Sequence, residues 1–326
     1  MKQINSISIS GRIVLNMHSL NNEGNEGNQV LTRQVTIIDK NGNPATVTAV
    51  SGDMLKHIMT EHLWNIAKEE KLPLSETSKV FNANRILSND LKDCAKDQLK
   101  KQDVASDAVI KTCVLSDVAG AMITDIGNFS RKSVAEFGWM IALPEANETD
   151  NYFHAKYVPN ASSTEKTESN EGQNIFHRPA NSGIYAYVSN LEIGRLSYND
   201  VSKTYPISKE DRKKRYDALL KAFLYTFLKP NGAMRNTQNP HIVDFEGVVS
   251  YSISSCPAPT VSGLKDNYKE EIKKTTEVLN SFTDNSIESV EFKTISEFSE
   301  IIKELINETE PKDINGSENS DKTQEK

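Results

Sequence analysis

Amide side chains and one arginine crowd a short stretch between two apolar runs near the N-terminus. The glycines of the stretch, Gly24 and Gly27, allow a close approach to the backbone. Amides donate and accept hydrogen bonds, and a guanidinium offers a charged fork, so the set suits the sugar and phosphate groups of a polymer. A plain polar hairpin tip is the alternative interpretation. The candidate residues are Asn21, Asn22, Asn25, Asn28, Gln29 and Arg33.

A second candidate phosphate site is the start of a helix predicted over residues 51–70. Ser51 is suited to cap this helix, and Asp53 lies in its first turn. The unpaired N–H groups and the dipole of a helix N-terminus attract phosphate, and Lys56 and His57 follow one turn later. An ordinary cap at Ser51 and a solvated lysine at Lys56 remain the alternatives.

Further cations stand in segments between the predicted strands and helices. Ile175 and Phe176, close to one of these segments, are suited to stacking against a base. A basic run at 212–215 is interpreted instead as a solvated helix face or a contact to a neighbouring protein. The candidate residues in these segments for binding the same polymer are Arg131, Lys132, His177, Arg178, Met234, Arg235 and Asn236.

Metal and redox chemistry are not expected from the pattern of histidines and cysteines. His57 and His62 are five positions apart, so HIMTEH is not the HExxH zinc motif. The cysteines are odd in number and form no CxxC pair, which predicts reduced thiols and neither a disulfide framework nor a cofactor site. They are Cys94, Cys113 and Cys256.

Two functions other than binding of a sugar–phosphate polymer stay open as alternatives. A ribonuclease would need a positioned base, for which His18 and His57 are the candidates, but no paired carboxylates stand at a loop to support it. A DNA-binding autoregulator would need a recognition helix with clustered cations, and no helix-turn-helix pattern of that kind is present. We therefore expect a protein that is not an enzyme.

The acidity of the chain is confined to its C-terminal part. The 326 residues carry a formal net charge of −7, and residues 261–326 alone hold 16 acidic residues against nine lysines. The remainder is balanced and is free to carry a basic stripe for nucleic acid. No signal segment is apparent, and no apolar run approaches the roughly 20 residues that span a bilayer. We expect a cytoplasmic protein with no membrane partner.

The order of predicted elements indicates an α+β fold. Helices at 51–70 and 208–229 alternate with strands in the order βαββαβ of a ferredoxin-like sheet. Such a sheet leaves one face uncovered by helices, which RNA-recognition modules use for RNA. A polar hairpin is expected at 150–180. The strands are predicted at 4–17, 35–38, 45–50, 117–125, 137–143, 184–196, 242–254 and 289–292, and C-terminal helices at 264–282 and 295–306.

Three stretches carry a resemblance to a known family: GRIVLNMHSLNNEGNEGNQVLTRQVTII, TAVSGDMLKHIMTEHLW and GNFSRKSVAEFGWMIALP. They closely resemble the backbone subunits of type I CRISPR Cascade complexes, in the DevR-type autoregulator branch of the RAMP proteins and near its I-A and I-B members. The resemblance covers roughly residues 4–260. It implies a modified RNA-recognition palm at 1–70, 117–149 and 180–260, inserted fingers at 71–116 and a thumb hairpin at 150–179. Residues 261–307 are then an acidic helical extension, and residues 308–326 a disordered tail.

The resemblance also implies the partners. Members of this family stack as copies of themselves into a helical filament along a CRISPR guide RNA and grip its backbone. The exposed bases pair with a target DNA strand, and other Cascade subunits complete the assembly. A protein that accepts any guide must contact phosphate and sugar rather than base edges, which agrees with the amides and scattered cations above.

Overall fold

The structure is a computed structural model and describes residues 1–157 and 173–315. Its strands are β1 Lys2–Ile4, β2 Ser6–His18, β3 Asn22–Glu26, β4 Gln29–Thr32, β5 Gln34–Ile38, β6 Pro44–Val50, β7 Ala121–Ile123, β8 Phe129–Arg131, β9 Ala135–Phe137, β10 Met140–Tyr157, β11 Gln173–Leu191, β12 His241–Ser252, β13 Ile287–Phe292 and β14 Thr309–Pro311. Its helices are α1 Gly52–Glu69, α2 Glu76–Lys79, α3 Gln102–Thr112, α4 Val114–Ala119, α5 Lys209–Leu228, α6 Tyr268–Asn280 and α7 Ile295–Glu308.

The main sheet has the order β13-β12-β2-β11-β10-β6-β5, with β3, β4 and β9 attached beside β11. Along the chain, β2, α1, β10, β11, α5 and β12 supply the predicted strand and helix order of a mixed α+β fold. The neighbours of β2 are β11 and β12, and both pair with it in antiparallel register. The central strand therefore comes from the N-terminal segment, so the polar stretch that follows β2 leaves from the middle of the sheet.

Alternation along β2 explains why one face of the sheet is packed with helices. Ile7, Ile9 and Ile13 point to the same side and are buried in the core with α1 and α5. Aromatic rings fill the space between α5, α7 and the strands at the β12 side. Phe298 of α7 lies 5.1 Å from Phe245 of β12, centroid to centroid. The helix α7 thus completes the core rather than lying apart from it.

The opposite face of the sheet is covered over β2 and β12, which contradicts the expectation of an open face. The Ser8 hydroxyl donates to the carbonyl of Ala258 at 3.1 Å, and the Ser10 hydroxyl accepts from the N–H of Val261 at 3.2 Å. Arg12 donates to the carbonyl of Gly263 at 2.6 Å. Helix α6 packs beside this segment against β12. The expectation was wrong because the covering contacts are long-range: the covering segment follows β2 by about 250 residues in sequence.

Three other predicted elements differ in the structure. The strand predicted at 117–125 is only partly present, because residues 117–119 belong to the helix α4, Val114–Ala119, and the strand β7 is limited to Ala121–Ile123. The strand predicted at 137–143 does not end before Pro144. Strand β10 continues through Pro144 to Tyr157, after a register shift between Ala142 and Asn147. Thr309–Pro311, predicted as disordered, pairs in parallel with Lys2–Ile4. The rest of that predicted tail, 316–326, and the hairpin tip, 158–172, lie outside the described residues. Among the described helices, none is long and apolar enough to cross a membrane.

Candidate nucleic-acid interface

The N-terminus of α1 has backbone N–H groups that no described residue accepts from. The Ser51 hydroxyl accepts from the Met54 N–H at 3.2 Å, so the predicted cap is present. Within the described chain, the N–H groups of Gly52 and Asp53 have no hydrogen-bond partner. N–H groups in the first turn of a helix have no acceptor inside the helix, so they are available to an acceptor from outside it. A side chain at residue 52 would collide with the carbonyl oxygen of Phe137, so glycine is needed for this close approach.

Asn21 joins the polar stretch to this helix end. Its side-chain oxygen accepts from the Ser51 N–H at 2.8 Å, and its carbonyl accepts from the Arg33 N–H at 3.1 Å. Asn21 is buried, with 6% of its surface exposed. It was predicted as a direct ligand of RNA, and the structure instead gives it the task of holding Ser51 and Arg33 in fixed positions.

Arg33 and Trp139 lie next to each other near the start of α1. The group formed by Asn21, Arg33, Ser51 and Trp139 is called the cleft below. The guanidinium carbon of Arg33 lies 5.9 Å from the centre of the Trp139 ring, and the Trp139 side chain is 40% exposed. The Glu23 carboxylate lies 3.5 Å from the guanidinium, so it competes with any bound anion for the charge of Arg33. The Nε atom of Arg33 is buried without a hydrogen-bond partner among the described residues. The Arg33 side chain as a whole is 32% exposed, and a partly exposed guanidinium beside an exposed aromatic ring is suited to phosphate binding and base stacking.

The predicted Asn/Gly stretch folds as the hairpin β3–β4 and docks on the base of the β10–β11 hairpin. The carbonyl of Asn28 accepts from the N–H of His177 at 2.9 Å, and Gln29 pairs with the same residue. The side chains of Asn25, Asn28 and Gln29 are exposed, whereas Asn22 is half-buried and accepts from the Ser19 hydroxyl at 2.7 Å. Two predicted sites, the stretch at 21–33 and residues 177–178, are therefore brought together.

The loop at 233–238 meets the same region from the other side. The N–H of Met234 donates to the carbonyl of Ser19 at 3.3 Å, and Arg235 lies 3.5 Å from Glu61 of α1. One residue beyond the exposed Asn236, the hydroxyl of Thr237 accepts from Arg178 at 3.2 Å. The structure thus places Met234, Arg235 and Asn236 beside the hairpin base, as a common polar surface.

Lys56 and His57 line a pocket of about 240 Å³ with Arg85, a residue that the sequence interpretation missed. Within the described residues, neither Lys56 nor Arg85 has a carboxylate within ion-pair distance. Burial lowers the pKa of Lys56, and the nearby charge of Arg85 lowers that pKa further. Asp53 and Glu136 raise the pKa of Lys56 in part but form no ion pair with it, so the two neighbouring cations are suited to a phosphate group. Asp53 also lines the pocket and is exposed at its edge.

Three predicted surface arginines are in the interior, and for these the prediction is wrong. Arg131 donates to Asp117 at 2.6 Å with 2% of its side chain exposed, and Arg215 donates to the same carboxylate at 2.7 Å. Arg212 is buried against backbone carbonyls, among them Leu196 at 2.8 Å. For Arg131 and Arg215 the physical reason is the buried charge of Asp117, which requires cationic partners, whereas Arg212 is held by backbone carbonyls. Lys132, next to Arg131, is exposed and lies 2.7 Å from Glu136.

His18, one candidate for a catalytic base, is enclosed in the core. Its Nε2 atom lies 2.8 Å from the Tyr185 hydroxyl, which lies 2.9 Å from the Thr48 hydroxyl. Burial lowers the pKa of His18 to about 4, so the ring is neutral at neutral pH. A buried, neutral ring cannot contact an RNA substrate. His57 is exposed and remains accessible. Among the described residues, no group of histidines, cysteines and carboxylates is arranged to hold a metal ion.

The fold and the cleft define a mixed α+β protein whose central sheet carries amides, an arginine and an open helix end at one side. A family model described as "CRISPR-associated negative auto-regulator DevR/Csa2" matches residues 9–273. The chain therefore belongs to the DevR/Csa2 family, and the family predicted from its sequence is confirmed.

Named relatives agree with this family. "CRISPR-associated protein Cas7/Csa2 1" of Saccharolobus solfataricus is 29% identical over 86% of this chain and 87% of its own length. "CRISPR-associated protein Cas7/Cst2/DevR" of Methanocaldococcus jannaschii is 25% identical over 83% of this chain and 88% of its own. A solved chain titled "CRISPR RNA-guided surveillance complex, pre-nicking" is 12% identical, covering 86% of this chain and 90% of that one, with a TM-score of 0.49.

Proposed function

We propose that the chain is a non-catalytic, multi-copy subunit that binds the backbone of a CRISPR guide RNA independently of base sequence. The observation that carries this proposal is the double hydrogen bond of Asn21, which fixes Arg33 beside the open N-terminus of α1. Backbone N–H groups and a guanidinium recognise phosphate, which is the same at every nucleotide. Family membership supplies the biological setting, since the relatives are named as CRISPR-associated proteins.

The path of the RNA follows from the positions of the free donors. It begins at the α1 N-terminus with Arg33 and Trp139, and passes the Lys56–Arg85 pocket one turn further along the helix. On the other side it runs over the exposed amides of the β3–β4 hairpin to His177 and Arg178. Exposed apolar side chains at the hairpin, Phe153 among them, are suited to displacing a base.

The domain roles follow the same proposal. The sheet with α1 and α5 is the RNA-recognition palm, residues 71–116 are the fingers, and the hairpin at 150–179 is the thumb. Because the second face of the sheet is covered by residues 256–266 and α6, RNA binds at the edge near α1 rather than across the strands. Copies of the chain, the target DNA strand and other Cascade subunits are the partners, and the complex is cytoplasmic. A relative of Saccharolobus solfataricus named "CRISPR-associated aCascade subunit Cas7/Csa2 2", 24% identical over 69% of this chain and 72% of its own length, supports other Cascade subunits as partners.

The test is binding of the purified chain to several guide RNAs of unrelated sequence. We expect similar affinities for all of them, with a strong loss of affinity on raising the salt concentration. A preference for one base sequence would contradict backbone recognition. Specific binding to a duplex DNA operator would favour the autoregulator, and cleavage of the RNA in the same tubes would favour the ribonuclease.

A further inference from the structure

The guanidinium of Arg215 has an unused edge at the opposite end of α1. Its Nη1 atom donates to the carbonyl of Ile110 at 2.8 Å and to the Asp117 carboxylate at 2.7 Å. Its Nε atom is buried without a partner, and no hydrogen bond of Nη2 is found among the described residues. Nε and Nη2 form one side of the guanidinium, the side that binds two oxygens of one oxyanion.

The charges around Asp117 leave a surplus of positive charge in the interior. The carboxylate also accepts from the N–H and the hydroxyl of Ser197, at 3.0 and 2.7 Å, so its oxygens are fully occupied. Burial alone would raise the pKa of Asp117, but Arg131 and Arg215 outweigh it and lower that pKa, so the group is ionised. Two buried guanidiniums then share one carboxylate. An anion at the free edge of Arg215 would balance the second cation, which is costly to bury alone.

A pocket of about 310 Å³ lies against Arg215 and is lined by further cations. Lys71 and Lys111 are exposed at its rim and make no ion pair with any described residue. The two acidic residues of the rim are paired with lysines, and the pKa of Asp211 is lowered by its hydrogen bond with Ser208, by Lys214 and to a smaller extent by Arg215. Glu70 lies 2.6 Å from Lys221, and Asp211 lies 3.2 Å from Lys214.

We infer that this pocket is a binding site for a phosphate ion or a small phosphate monoester. Nη2 of Arg215, which is neither bonded nor among the buried unpaired atoms, would donate to a phosphate oxygen with Nε behind it, and Lys71 and Lys111 would neutralise the remaining charge. A phosphate dianion carries two negative charges, so it balances the positive charges of Arg215, Lys71 and Lys111 better than a single carboxylate does. The cavity volume lies at the lower end of the range for small-molecule sites, which accommodates a small ester as well as the ion.

The site is separate from the guide-RNA cleft. Ser51 caps the start of α1, whereas Glu70 and Lys71 follow its last residue, Glu69. A helix of 18 residues is about 27 Å long at about 1.5 Å per residue, so both sites cannot share one nucleotide. The inference therefore stands whether or not the cleft binds RNA.

The experiment is calorimetric titration of the full chain with inorganic phosphate in a chloride buffer of constant ionic strength, without RNA and with saturating RNA. We expect one site whose affinity falls about tenfold in the double variant Lys71→Ala, Lys111→Ala. The matched control, Lys273→Ala with Lys303→Ala, removes two exposed lysines of the C-terminal helices and should bind as the wild type does. Arg215→Lys keeps the charge but removes the fork, and we expect binding to be lost in folded protein.

Three results would overturn the inference. One is no binding of phosphate to the wild-type chain, and another is unchanged affinity in the lysine double variant. The third is displacement of phosphate from this site by RNA together with weaker RNA binding by the double variant, which would assign the pocket to nucleic acid. Failure of the chain to bind RNA would contradict the proposed function but would leave the RNA-free titration decisive for this pocket.

Discussion

Asn21 connects Arg33 to Ser51 by one hydrogen bond to each backbone N–H, at 3.1 and 2.8 Å. The two bonds come from different atoms, the carbonyl and the side-chain oxygen. The polar stretch and the helix that follows the β5–β6 hairpin are thereby held as one unit. The cleft is therefore preorganised by a buried amide that does not need to touch the ligand.

Asn21→Ala should weaken both the fold and the cleft. The substitution leaves the Ser51 N–H without its acceptor in a partly buried position, which costs about 1 kcal/mol of unfolding free energy. Urea denaturation measures this cost, and a guide-RNA titration under folding conditions measures the binding. Asn25→Ala, in an exposed part of the same stretch, is the control and should leave stability unchanged. Equal stability of the two variants would show that the bond is not structurally important.

Arg33→Ala should lower guide-RNA affinity roughly tenfold, and equally for unrelated guides, because the arginine contacts phosphate rather than bases. The slope of log affinity against log salt should fall in magnitude by about 0.7 for each lost phosphate contact with a single strand. Filter binding at several salt concentrations gives both quantities. Lys303→Ala removes an exposed cation of α7 and serves as the charge control. A loss confined to one guide sequence would contradict backbone recognition.

Arg131→Ala should destabilise the chain rather than affect RNA binding directly. Arg215 still pairs with Asp117 in this variant, but the buried side chain of Arg131 also donates to the carbonyls of Tyr198 and Arg195, and loss of these buried charged hydrogen bonds costs about 3–5 kcal/mol. Thermal and urea denaturation measure the loss. Lys132→Ala, one residue further and exposed, should leave stability within about 0.5 kcal/mol. Normal stability of the Arg131 variant with reduced RNA affinity would restore the original surface prediction.

Local patterns predicted the helix start correctly, and long-range charge pairing explains what they missed. Ser51 caps α1 by accepting a hydrogen bond from Met54, which is only three residues away, so the contact can be predicted from the local sequence alone. Arg215 instead meets Asp117, 98 residues away, so its burial could not be inferred from a basic run on a helix. Arg85 escaped notice for a related reason, since only folding brings the inserted segment against Lys56.

His18 should make the stability of the fold depend on pH. Its pKa is about 4 in the folded chain and 6.5 in its ordinary state, so the unfolded chain binds the proton more readily. The stabilisation is complete above pH 6.5 and is lost as the pH falls towards 4, by an amount of order 3 kcal/mol. Urea denaturation between pH 4 and pH 8 measures it. His18→Gln should have a flatter profile in that window, and parallel profiles of the two proteins would contradict the assignment.

Lys56 and Arg85 should act together on one phosphate. Lys56→Met keeps the aliphatic stem and relieves the repulsion between the two cations, so we expect no loss of stability with weaker RNA binding. In a double-mutant cycle with Arg85→Met, the losses of binding energy should be coupled by about 0.5–3 kcal/mol. Fluorescence anisotropy with a labelled guide provides the affinities. Additive losses would mean that the two cations contact separate phosphates.

Phe153 and Ile175 should matter for the spacing of copies on a guide and not for the fold. They lie on the outward face of the β10–β11 hairpin, 58% and 37% exposed, and they are diagonal neighbours because Ala155 pairs with Ile175. The double variant Phe153→Ser, Ile175→Ser should bind RNA yet lose the regular pattern of nuclease protection, since the two exposed apolar side chains on this face of the hairpin, which are proposed to displace a base, are removed. Val278→Ser with Phe282→Ser, at exposed positions 61% and 66%, is the matched control and should keep the pattern. If both variants protect RNA with the same period, base displacement does not depend on this hairpin surface.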